Sequence, residues 1–108
     1  MTGFPAKVRE LIARRADGNC EVCGVPAQVT QQHHRRPRGS GGSKAPDTNL
    51  ASNGLSVHPG CHNWIEGHRE EALHFGYLVR QGHNPAEVPV WIGWRWVYLT
   101  ENGGMEDK

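Results

Sequence analysis

Three cysteines and seven histidines in 108 residues are the side chains best suited to chemistry here. Cys20 and Cys23 are two residues apart and stand just before Gly24. That spacing puts two sulfurs on one tight turn, where both reach a tetrahedral ion at about 2.3 Å. His58 and Cys61 share the spacing and complete a donor set of three cysteines and one histidine. Between Cys23 and His58 lie 34 residues, so a hairpin must sit inside the metal loop. The competing reading is a Cys20–Cys23 disulfide with Cys61 left over. An odd cysteine count in a cytosolic chain favours the ion. With all four positions filled, zinc there supplies folding energy and no reactivity.

A second set has a different character. His33-His34 runs directly into Arg35-Arg36-Pro37-Arg38-Gly39, and His62 directly follows Cys61. If His33–His34 ends a strand, the two rings point to opposite sides or splay across one rim. A neutral imidazole is a competent base near pH 7. Another can hold a divalent ion that stabilises charge growing on phosphate oxygens. Glu66, four residues after His62, shares its helical face and could add an oxygen ligand. His68 is a weaker candidate, and His74 and His83 read as surface residues. A lone histidine would read as surface too, but this spaced set around a knuckle does not.

The positioning elements follow from pattern. Phe4, Val8, Leu11 and Ile12 recur at helical spacing, with Pro5 before them and Gly18 beyond, which predicts a helix over residues 5–16. A strand is expected within Ala27–His34 and another near Leu55-Ser56-Val57. A helix starting near His62 continues through Ala72, Leu73 and Phe75 to a Gly76 cap. Val88, Val90 and Ile92, then Trp94, Trp96 and Tyr98, alternate around Gly93 and predict a β-hairpin over 86–100. Trp64 is expected in the core, and Trp91, Trp94 and Trp96 to pack the hairpin onto it, base stacking being their rival role. The polar stretch 101–108 reads as a frayed, flexible tail.

The length suits one domain, residues 1–108, and only 36% of residues are hydrophobic. So thin a core often needs a staple. No apolar run approaches the roughly 18 residues of a membrane span, and no signal peptide opens the chain. A cytoplasmic protein is expected. Net charge is +1, yet residues 1–60 carry eight basic and four acidic side chains against four and seven in 61–108. The basic half suits a polyanion. Arg35, Arg36, Arg38 and Lys44 sit on a Gly-rich loop with no acid before Asp47, where they could grip phosphates without reading sequence. A solvated loop is the plainer reading.

Cys-x-x-Cys, His-His with Pro and a Gly-Gly loop, then Asn, Leu, a ligand pair and Cys-His together resemble the HNH endonucleases over residues 20–75. Further stretches resemble small HNH proteins of phages infecting actinobacteria. They are His33–Gly39, Pro46-Asp47-Thr48-Asn49, Gly60-Cys61-His62-Asn63-Trp64 and Asn84–Val90. The resemblance implies an α+β fold with a ββα-metal core, stapled by zinc and flanked by an N-terminal helix and a C-terminal hairpin. It implies DNA phosphodiester hydrolysis to 5′-phosphate and 3′-hydroxyl ends. By matching position, His34 would be the general base. His33 and His62 would bind a catalytic divalent ion such as Mg2+, Mn2+, Ni2+ or Zn2+. Asn53 would be the family's central Asn, steadying the base through a backbone hydrogen bond, with Asn49 its rival. His58 stands where the family usually has Cys. The implied partners are DNA and the phage terminase large subunit. The competing class is a zinc-stapled nucleic-acid-binding module without catalysis. A thiol-redox protein is disfavoured, because no thioredoxin-like βαβ pattern follows Cys20-x-x-Cys23.

Overall fold

The computed structural model describes residues 3–28, 30–37 and 47–108. Three α-helices and two small antiparallel sheets make an α+β fold among them. Helix α1 spans Ala6–Ala16 and buries Ile12 and Ala16. It ends on Asp17 and Gly18, both in left-handed conformation, which stops the helix where Gly18 leads one to expect. Strands β1 (Gln31–His34) and β2 (Gly54–Val57) form a two-stranded ribbon, with His33 opposite Leu55 and His34 opposite Gly54. The first strand is shorter than the expected Ala27–His34. Gly54 is required by packing: a Cβ there would stand 2.3 Å from the Ile12 Cδ1 atom of α1.

Helix α2 (Pro59–Gly67) begins before the expected His62, because His58 serves as its N-cap. The single helix expected through Phe75 breaks at His68, whose φ of −133° and ψ of 58° are not helical, and resumes as α3 (Arg69–Phe75). Gly76 caps α3 at φ +80°, and a Cβ there would meet the Pro89 carbonyl oxygen at 2.1 Å. Both the backbone angle and the close approach demand glycine.

The second sheet has order β3-β4-β5: Val90–Ile92, Arg95–Leu99 and Met105–Asp107. Its third strand corrects the expectation of a frayed tail over 101–108. Val97 pairs with Asp107, and Leu99 with Met105. The turn is closed by Thr100, whose Oγ1 accepts from Gly104 N at 2.8 Å. Polar composition hid this strand, because one face of an antiparallel edge strand needs no apolar side chains. The hairpin turn at Gly93-Trp94 places both residues at positive φ. Trp94 is 89% exposed, so it does not pack the core as expected. Trp91 does, and Trp96 meets it edge to face at 5.4 Å. Trp64 is half-buried beside the core, its ring stacked on His68 at 4.8 Å.

Two apolar clusters support the fold. Leu55, Val57, Ile65, Ala72, Leu78, Val90, Val97 and Leu99 surround Cys20, while Phe4, Ile12 and Ala51 join α1 to the segment before β2. A buried ion pair crosses between them. Arg15 grips Glu21 bidentately at 2.7 and 2.8 Å, and Glu21 also accepts from Ser56 N. Arg15 Nη1 and Nη2 reach the Ala51 and Gly54 carbonyls as well. Four of its five N–H donors are used, which helps a buried guanidinium to offset desolvation. No helix among the described residues is long and apolar enough to cross a membrane.

Candidate functional site

Cys20, Cys23, His58 and Cys61 converge, their donor atoms all within 4.8 Å of one another. His58 Nε2 lies 3.1 Å from the Cys23 sulfur and 3.5 Å from that of Cys61. The knuckle before β1 supplies two donors, and the start of α2 supplies the other two. None of the three cysteines is in a disulfide. This Cys3His cluster could bind a metal such as zinc, whose tetrahedral preference matches four N/S donors. With Nε2 on an ion, the ring proton must sit on Nδ1, so the long 3.4 Å approach of Cys61 N–H to Nδ1 would be given up. Burial and the neighbouring sulfurs push the Cys61 thiol up to about 12. Burial also raises Cys20, but backbone N–H groups around the knuckle outweigh it and leave that thiol below its usual value. An incoming ion must displace protons from such sulfurs.

The second set divides. His33 from β1 and His62 and Glu66 from α2 come together, again with donor atoms within 4.8 Å. The His33 and His62 rings meet edge to face at 5.4 Å. His33 Nε2 is 2.8 Å from the Tyr77 carbonyl. A carbonyl only accepts, so Nε2 carries the proton and Nδ1 the lone pair. Burial brings His33 down to about 4, the Tyr77 carbonyl opposing and His62 reinforcing the shift. The ring is therefore neutral at pH 7, as a metal ligand must be, and held by an outer partner. Glu66 lies on α2 four residues after His62, where helical spacing aligns the two.

His34 is not in that group. Alternation along β1 turns it to the other side, where its ring stacks on Phe4 at 4.0 Å. Its Nε2 donates to Asn49 Oδ1 at 2.9 Å, which places the lone pair on Nδ1. Asn49 is thus a side-chain partner of His34. Asn53 works on the backbone. Its Oδ1 accepts from Arg36 N at 2.7 Å, and its Nδ2 donates to the Arg36 and Thr48 carbonyls. It clamps the chain two residues beyond His34 to the segment before β2. The Tyr77 carbonyl and the Phe4 ring were invisible in sequence, since a main-chain acceptor and a stacking contact carry no motif.

Two expected phosphate contacts are corrected. Arg35 is 0% exposed and donates to the carbonyls of Gly76, Ser52, Pro85 and Val88 at 2.8–2.9 Å. Burial, with Arg15 repelling from nearby, lowers it to about 9, so it stays ionised at neutral pH. Arg36 is buried too, on Asp47, Thr48 Oγ1 and the His83 carbonyl. Both guanidinium groups face the interior, Arg35 spending four N–H donors on carbonyls and Arg36 four on Asp47, Thr48 and the His83 carbonyl, rather than presenting their forks to solvent. Arg38 and Lys44 lie outside the described residues. Arg35→Met, which keeps volume but strands four carbonyls, is expected to cost at least about 3 kcal/mol in chemical denaturation.

The Arg36 guanidinium holds the Asp47 carboxyl below its ordinary 3.8, against a smaller opposing effect of burial. A carboxylate depressed in the folded state contributes stability above its unfolded value and loses it as pH falls through the folded one. Asp47→Asn should therefore be less stable than wild type at pH 7 by about 1–2 kcal/mol. That gap should close on acidification below 3.8. Urea midpoints across a pH series read the difference; a gap independent of pH would exclude the ion pair as its source.

The chain matches no family model, no curated protein and no solved structure.

Proposed function

We propose that the chain is a metal-dependent HNH endonuclease that hydrolyses DNA phosphodiesters at a ββα-metal centre. The observation that carries this reading is the meeting of His33, His62 and Glu66 across β1 and α2, with His34 the next residue along β1. Two imidazoles and a carboxylate suit a divalent ion that keeps open positions. Such an ion would neutralise charge developing at the scissile phosphate. His33 and His62 hold its place, with the Tyr77 carbonyl fixing the His33 ring. His34 takes a proton from water. The water oxygen bonds to phosphorus as the 3′-oxygen leaves, and the departing oxygen gains a proton from solvent. Asn49 and Phe4 orient the His34 ring for that transfer. Asn53 steadies the chain beyond it, and the Cys3His staple locks the knuckle to the start of α2.

The test is plasmid nicking with Mg2+ or Mn2+, against buffer with neither ion added, beside duplex binding measured on the same protein. Nicking that needs the divalent ion supports the reading. Duplex binding without nicking in any divalent ion replaces it with the second reading, a zinc-stapled binding module. That reading draws on the stacking of His34 against Phe4, apart from the donor cluster. The phage resemblance extends the proposal to the large terminase subunit, which should co-purify when both are expressed together.

A further inference from the structure

With Arg35 and Arg36 interior, the basic half must meet a polyanion elsewhere. Arg15 is buried on Glu21, and Arg14 pairs with Glu10. Among the described basic residues before position 60, Lys7, Arg9 and the buried Arg35 have no ion pair, and of these Lys7 and Arg9 are exposed. Arg9 is exposed on α1 and lines an open cleft of about 370 Å³ with Gly3, Phe4, Thr30, Gln32 and His34. Among the described residues, no acidic side chain lines this cleft. Gln32 Nε2 donates to the Arg9 carbonyl at 3.1 Å, which ties α1 to β1 and sets the cleft's width. The guanidinium therefore projects from a fixed backbone while its own donors stay in solvent.

We propose that this cleft binds a phosphodiester of the nucleic-acid backbone and that Arg9 is the residue that grips it. The inference rests on the endonuclease reading and names the surface by which the substrate strand meets His34. A planar guanidinium fork matches two phosphate oxygens, and the neutral polar lining adds no repulsion. Phosphate contacts of this kind position a strand without reading its sequence. The His34 ring, on the cleft's own wall, is then presented to the strand that Arg9 holds.

The experiment is anisotropy of a short labelled DNA duplex without added Mg2+ or Mn2+, across a salt series, with wild type, Arg9→Gln, Arg9→Lys and Arg80→Gln. Arg9→Gln should weaken binding several-fold and reduce the slope of log K against log salt by about one. Arg9→Lys should keep the slope and lose part of the affinity, since the charge stays and the fork goes. Arg80→Gln, an exposed arginine outside the cleft, should match wild type. Arg9→Gln binding with the wild-type slope overturns the proposal, and so does a wild-type protein that does not bind the duplex. Arg9-dependent binding by a protein that never nicks leaves the cleft assigned and removes the endonuclease reading. Nicking that survives Arg9→Gln with unaltered KM does the reverse.

Discussion

His34→Ala is expected to lower the proposed divalent-dependent nicking by a factor of about 10²–10⁴, the usual worth of a positioned general base. The ring is oriented on two sides, by Asn49 Oδ1 at 2.9 Å and by the Phe4 face at 4.0 Å. Its loss removes the proton acceptor without opening a core cavity, because His34 is only half-buried. Circular dichroism and duplex binding should persist. His33→Ala and His62→Ala should behave differently, weakening divalent-ion affinity along with rate, which titration with Mn2+ resolves. A His34→Ala protein that nicks at the wild-type rate removes this residue as the base. Equal inertness of wild type and variant, with duplex binding intact, removes the enzyme altogether.

Loss of zinc should unfold the protein. Structural zinc sites bind with about 10–16 kcal/mol, while whole domains are net stable by about 5–15 kcal/mol. Cys20 belongs to the main apolar cluster and is 0% exposed, so the metal site and the core are one packing unit. The staple also joins segments remote in the chain, from Cys23 to His58, and so shortens the unfolded loop between them. About one zinc per chain is expected by elemental analysis. A strong chelator, or Cys61→Ser, should abolish the cooperative melt and most helical signal. Release should grow easier as pH falls, since protons compete for the sulfurs. A metal-free protein that melts as wild type does would remove the staple.

Much of this was readable from spacing. The Cys-x-x-Cys and His-x-x-Cys pairs require only local turns and a helix start, so sequence distance translates directly into geometry. Helix α1 was legible because Val8, Leu11 and Ile12 report a buried stripe at the helical period. The third strand of the C-terminal sheet was not, because Met105–Asp107 pairs through its backbone. The break at His68 did leave a signal, because Gly67 directly before it is a poor helix former.

Charge was the least legible property. Arg35 and Arg36 looked like solvent-facing cations next to a glycine-rich loop, yet both are interior struts of the fold. An arginine's sequence neighbours say little about whether carbonyls from distant turns will gather on its fork; Gly76, Ser52, Pro85 and Val88 do so from positions 17 to 53 residues away. Residue type and local spacing alone determined the Cys3His set, the first helix and the His62/Glu66 face. Tertiary packing decided which cations stay available and which asparagine meets His34. Those outcomes depend on contacts between segments far apart along the chain, whereas alternation within β1 is enough to put His33 and His34 on opposite sides of the strand.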